Sequence, residues 1–145
     1  MNEIEKTYLI LDLVVIILLS CFLSIFVNQN GEERYTSLMG VLTGLTYITS
    51  RLTNYKKIMN VFHFFIPITS LFIIIKSNDL NLLTLILSKL ILAMATRKIF
   101  NGCIVRKIEE KSELTSNAFT KLLNWDLIFP MMAFICLFRL YNLKK

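Results

Sequence analysis

Asp12, His63, Lys89 and Asp126 are ionisable residues set inside otherwise apolar stretches. Such groups are costly at membrane depth, so they usually face a bundle interior and often mark function. With each stretch read as a helix rising 1.5 Å per residue from its nearest basic flank, Asp12 and His63 lie about 9 Å in, Lys89 about 12 Å and Asp126 about 7–8 Å. The four therefore share one layer. Three chemistries fit it. Lys89 paired with Asp12 or Asp126, beside a His63 that titrates near neutral pH, would form a proton or ion relay. The same groups, as an interhelical ion pair and a hydrogen-bonded imidazole, would hold register in a bundle whose apolar faces cannot tell partner from lipid. In the third arrangement the carboxylates sit at the interface and Lys89 snorkels.

Other chemistry finds less support. A single histidine cannot anchor a bis-imidazole haem or a HExxH zinc site, so no metal and no cofactor is expected. Ser20, Ser24, Ser70 and Ser88 sit in apolar stretches without a paired base, which favours bonding to their own helix backbone over nucleophilic catalysis. Cys21, Cys103 and Cys136 contain no CxxC spacing and read as small buried hydrophobes. Cys21 and Cys136 fall at similar depth, so a redox pair is the reactive alternative. Potassium-filter and glycine-rich phosphate-loop motifs do not occur in the sequence.

The elements that must position these residues are apolar runs. The chain has 145 residues, of which 55% are hydrophobic and 18% charged. That leaves too little polar surface to cover a water-exposed globule, and lipid must supply the missing solvent. The net charge of +6 is spread among short connections and helix ends, which argues against a nucleic-acid partner. The pattern predicts an all-α, multi-pass transmembrane helix bundle forming a single integral membrane domain. Its five spans fall at about 8–27, 35–50, 58–75, 80–96 and 122–140. The first lacks a basic n-region and a small-residue cleavage site, so it is expected to be retained as an anchor. The second is short and rich in hydroxyls, and four spans are the alternative if it is re-entrant. Gly40 and Gly44 make a GxxxG there, with Ser37 one turn earlier, a helix-packing face. Thr43 and Thr46 would line a pore if one exists.

Pro67 and Pro130 are tolerated as kinks in membrane helices. Asp79 is a candidate cap for the fourth helix. Residues 97–121 form a polar segment, within which Phe100, Ile104 and Ile108 predict a short basic amphipathic extension of the fourth span. With the amino terminus inside and five spans, basic residues fall ten to five in favour of the inner side, leaving the carboxyl terminus outside.

The leading functional expectation is a non-enzymatic membrane subunit that packs with itself or other proteins, as a homo-oligomer or in a larger membrane complex. A pore or carrier for protons, ions or a small solute, using the intramembrane polar layer, is the alternative. A small lipid-acting enzyme using Asp126 or His63 is the weakest reading.

Overall fold

The computed structural model describes residues 3–53, 56–99 and 124–145, and these are all-α, with no strand among them. Five helices appear: α1 (Glu3–Asn28), α2 (Glu32–Thr53), α3 (Lys56–Lys76), α4 (Leu80–Ile99) and α5 (Trp125–Leu143). The predicted amphipathic extension and Cys103 lie outside the described residues. So does the side chain of His63, whose backbone belongs to α3.

Each reversal has a local cause. Gly31 adopts φ +64°, which a residue with a side chain rarely tolerates, and it turns α1 back into α2. Glu32 and Glu33 then occupy the first turn of α2, where the exposed N–H groups favour negative charge. Between α3 and α4 the chain has only Ser77, Asn78 and Asp79. Asp79 accepts the Leu82 N–H at 2.7 Å and so caps α4 as the sequence suggests. Pro67 and Pro130 are both accommodated inside helices.

The helices form two layers. α2 lies between α1 and α3 and packs closely on both, while α4 and α5 pair with each other. α4 rests over the first layer, touching α1 and α3 more lightly. The core sits at this junction, where Leu82, Leu83, Ile86 and Leu90 of α4 meet Ile73 and Ile74 of α3, Met132 and Cys136 of α5, and Leu19 and Phe22 of α1. Buried Cys136 donates to the Leu83 carbonyl, while Cys21 is half-buried, and both are free thiols.

Among the described residues, two helices are long and apolar enough to cross a membrane, namely α1 over Tyr8–Asn28 and α5 over Trp125–Leu143. Phe64–Lys76 of α3 is a shorter apolar stretch. The five spans expected from the sequence are thus matched by two on length and composition. In α2 the hydroxyl residues lower the apolar content, although it is one uninterrupted helix of 22 residues.

The Gly40/Gly44 face is occupied within the chain. A methyl group on Gly40 would run into the Phe22 ring of α1, and one on Gly44 would meet Leu19 Cδ1 at 2.9 Å. Glycine therefore sets how near α1 and α2 approach. Gly40→Ala is expected to lower unfolding stability by about 1–3 kcal/mol, because a ring must move. Gly44→Ala should cost less, since the end of a leucine side chain can yield. Unfolding midpoints of the purified variants in one detergent check this order.

Candidate functional site

Four residues spaced i, i+4 on two antiparallel helices form the strongest polar contact near one end of the bundle. Tyr8 and Asp12 on α1 face Tyr47 and Arg51 on α2. Arg51 Nε and Nη2 donate to Asp12 Oδ1 and Oδ2, each at 3.0 Å, a two-pronged pairing that fixes both groups in one plane. The Tyr47 hydroxyl donates to the same carboxylate. The guanidinium also lies over the Tyr8 ring, 4.2 Å from its centroid. Tyr47 extends the contact to α3 by packing on Phe62, with ring centroids 4.9 Å apart. At the same end, Arg97 at the close of α4 pairs with Asp126, with contacts of 2.9 and 3.0 Å.

A second polar cluster ties the opposite end. Glu33 on α2 accepts from the Ser77 hydroxyl and the Asn78 N–H, both at 2.6 Å. Gln29, just past α1, donates to Asp79. From α5, Arg139 donates to Asn78 Oδ1 at 2.9 Å and to the carbonyls of Ile74 and Ile75. Those carbonyls belong to the last turn of α3, where helical partners run out and a cation is favoured. All five helices meet at this end.

Between the two clusters lies a cavity of about 150 Å³, bounded mainly by apolar side chains of α1, α3, α4 and α5 with the Gly40–Gly44 stretch of α2. Lys89 lines it. Its ammonium reaches one acceptor among the described residues, the Ile66 carbonyl at 3.5 Å, the outer limit of a hydrogen bond.

These positions revise the expected layer. Asp12 belongs to Arg51 and Asp126 to Arg97, and neither is placed against Lys89. Asp126 is 77% exposed in the first turn of α5 rather than at depth. The interhelical ion pairs that are present use arginines near helix ends as the cations, not Lys89. Ser37 is fully buried and bonds its own helix at the Arg34 carbonyl. Thr43 is buried, donates to the Met39 carbonyl at 2.8 Å and lies 3.3 Å from the Thr69 hydroxyl. Thr46 donates to its own Leu42 carbonyl. Of these two threonines only Thr43 lines the cavity.

Arg51, Arg139 and Glu33 are site residues that the pattern of apolar runs does not single out. The i, i+4 pairs Tyr8/Asp12 and Tyr47/Arg51 were the available signal for the first cluster. The second joins residues far apart in sequence and left no local pattern. No group of three or more metal-ligating side chains occurs among the described residues. No family model, curated protein or solved structure matches the chain.

Both partners of the Asp12–Arg51 pair keep about a third of their side-chain surface exposed. A double-mutant cycle with Asp12→Asn and Arg51→Gln is therefore expected to give a coupling of about 1 kcal/mol. Lys89→Leu should be additive with Asp12→Asn. Unfolding of the purified variants by sodium dodecyl sulfate titration reads both quantities.

Proposed function

We propose that this chain is a non-enzymatic, multi-pass integral membrane protein, all five helices crossing the bilayer, which serves as a packing subunit in a homo-oligomer or larger membrane assembly. The observation that carries the reading is the distribution of polarity. Large apolar side chains point outward from every helix, among them Ile17, Leu42, Phe65, Ile91 and Phe134. The polar contacts gather at two ends. Along the helix axes, Asp12 to Gln29, Glu33 to Arg51 and Asp79 to Arg97 each span about 25–27 Å, close to the roughly 30 Å of bilayer hydrocarbon. In this arrangement the amino terminus lies inside and the carboxyl terminus outside, in line with the excess of basic residues on the inner side.

The assembly role follows from which faces remain. The small-residue face of α2 is consumed by α1, so contacts between molecules fall to the outer helices. α5 carries Leu127, Met131, Phe134, Phe138 and Tyr141 outward, each more than half exposed. Their alternating spacing of four and three residues makes one continuous stripe suited to helix pairing. The pore reading is less favoured, because the threonine hydroxyls are satisfied by their own backbone and the cavity wall is apolar.

The test is disulfide cross-linking in native membranes of Phe134→Cys in a chain otherwise lacking cysteine. A discrete cross-linked species is expected from Phe134→Cys and none from Leu42→Cys on α2. A chain that gives no adduct at either site and is extracted into lipid nanodiscs only as a 16.9 kDa monomer with nothing co-isolated would contradict the assembly role.

A further inference from the structure

The cavity between the two layers is long and apolar, and of the two cations on its wall, Lys89 and Arg97, only Lys89 has no carboxylate partner among the described residues. On α1 its wall runs from Ile10 through Val14 and Leu18 to Phe22, about 18 Å along the axis. On α4 it follows one face from Lys89 through Ala93 to Arg97, about 12 Å. At about 150 Å³ the slot takes the first several carbons of a hydrocarbon chain rather than the whole of a long one, and its elongated wall sets the direction in which that chain runs.

The polar groups on the wall narrow the chemistry. Arg97 is taken by Asp126, and the hydroxyls of Thr43 and Thr96 are taken by the Met39 and Leu92 carbonyls. Lys89 remains. Its ammonium carries three N–H donors, yet its acceptor among the described residues is the Ile66 carbonyl, which already serves the backbone ladder of α3 and receives the Ser70 hydroxyl at 2.7 Å. A carbonyl has only two lone pairs, so the ammonium at 3.5 Å is the worst served of the three. A charge surrounded by apolar side chains calls for a partner of opposite sign. The matching ligand has one negative charge on a compact acceptor and an apolar remainder.

We propose that this cavity binds the anion of a long-chain fatty acid, its carboxylate on Lys89 Nζ, its first methylenes along the α1 wall and the remainder of the chain passing out sideways into the surrounding lipid. A neutral lipid would leave the ammonium unbalanced. A phosphodiester carries the same single charge, but it is flanked by a headgroup and a two-chain glycerol backbone, for which a cavity of about 150 Å³ leaves no room around Lys89. Entry is sideways, where α4 touches α1 and α3 only lightly. The inference takes its ligand source from the membrane reading above and is independent of the assembly role.

The chain holds a single tryptophan, Trp125, and it lines this cavity. Its fluorescence can therefore report the ligand directly. The experiment uses the full chain in nanodiscs of unbrominated phosphatidylcholine, titrated with dibromostearate. Saturable quenching near one ligand per chain is expected, with at least a tenfold loss of affinity in Lys89→Leu and less than threefold in Lys89→Arg. The methyl ester of dibromostearate, tested on the unaltered chain, should quench only weakly and without saturation. Equal quenching by acid and ester, or equal affinity of Lys89→Leu, would overturn the proposal. Saturable quenching by brominated phosphatidylglycerol but not by the acid would overturn it too, placing a phosphodiester in the cavity. Carbonate extraction of the same membranes separates the two failures. A chain that resists extraction but shows no saturable quenching refutes the fatty-acid site alone.

Discussion

A polar group on an apolar helix surface must find its partner within the protein, and the hydrogen bonds among the described residues follow that constraint. Hydroxyl after hydroxyl turns back one helical turn to its own backbone: Ser20 to Ile16, Thr84 to Leu80, Ser88 to Thr84 and Thr96 to Leu92. Such bonds let serine and threonine sit on an apolar surface without water. The charged groups Asp12, Arg51, Glu33, Arg139, Arg97 and Asp126 pair or bond near the helix ends, while Lys89 is set apart from them in the cavity. At one end Asp12 takes Arg51, and at the other Glu33 and Arg139 tie the α3–α4 turn to α2 and α5.

The two ends do different work. The Asp12 cluster joins neighbours in sequence, α1 and α2, and reaches α3 through the Tyr47–Phe62 contact. The Glu33 and Arg139 cluster joins elements of both layers. Since α4 meets the first layer lightly along its length, the contacts from Arg139 to the last turn of α3 and to Asn78 are what hold the layers together at that end. The opposite side of the same junction is left open enough for the cavity that holds Lys89. A cation there lowers the cohesion of a core that apolar residues would close.

The helices were legible in the sequence because apolar runs broken by Gly31, by Ser77–Asp79 and by charged flanks state their own limits. The Asp79 cap was legible for the same local reason. The small-residue face was legible as a packing face, but not its occupant: a GxxxG motif specifies close approach without naming the neighbour, and here Phe22 and Leu19 of the preceding helix fill it. Depth along each helix placed Asp12, Lys89 and Asp126 at similar heights, yet height carries no information about azimuth. Asp12 faces α2 and meets an arginine one helix end away, while Lys89 faces the cavity. The start of the last helix was set too early by hydropathy, which moved Asp126 from the exposed first turn to an apparent interior position. Arg139 was not legible as a site residue, because its partners, two backbone carbonyls and the Asn78 amide oxygen, lie far away in sequence and no local pattern announces them.

The central claim is that the two polar clusters lie on opposite faces of a membrane. Substituted-cysteine labelling with an impermeant maleimide on sealed vesicles tests it most directly, using Asn30→Cys, Asn78→Cys, Lys6→Cys and Lys98→Cys in a chain without its own cysteines. The account predicts that Asn30→Cys and Asn78→Cys react from one side and Lys6→Cys and Lys98→Cys only from the other. Labelling of all four positions from the same side of intact vesicles would contradict it.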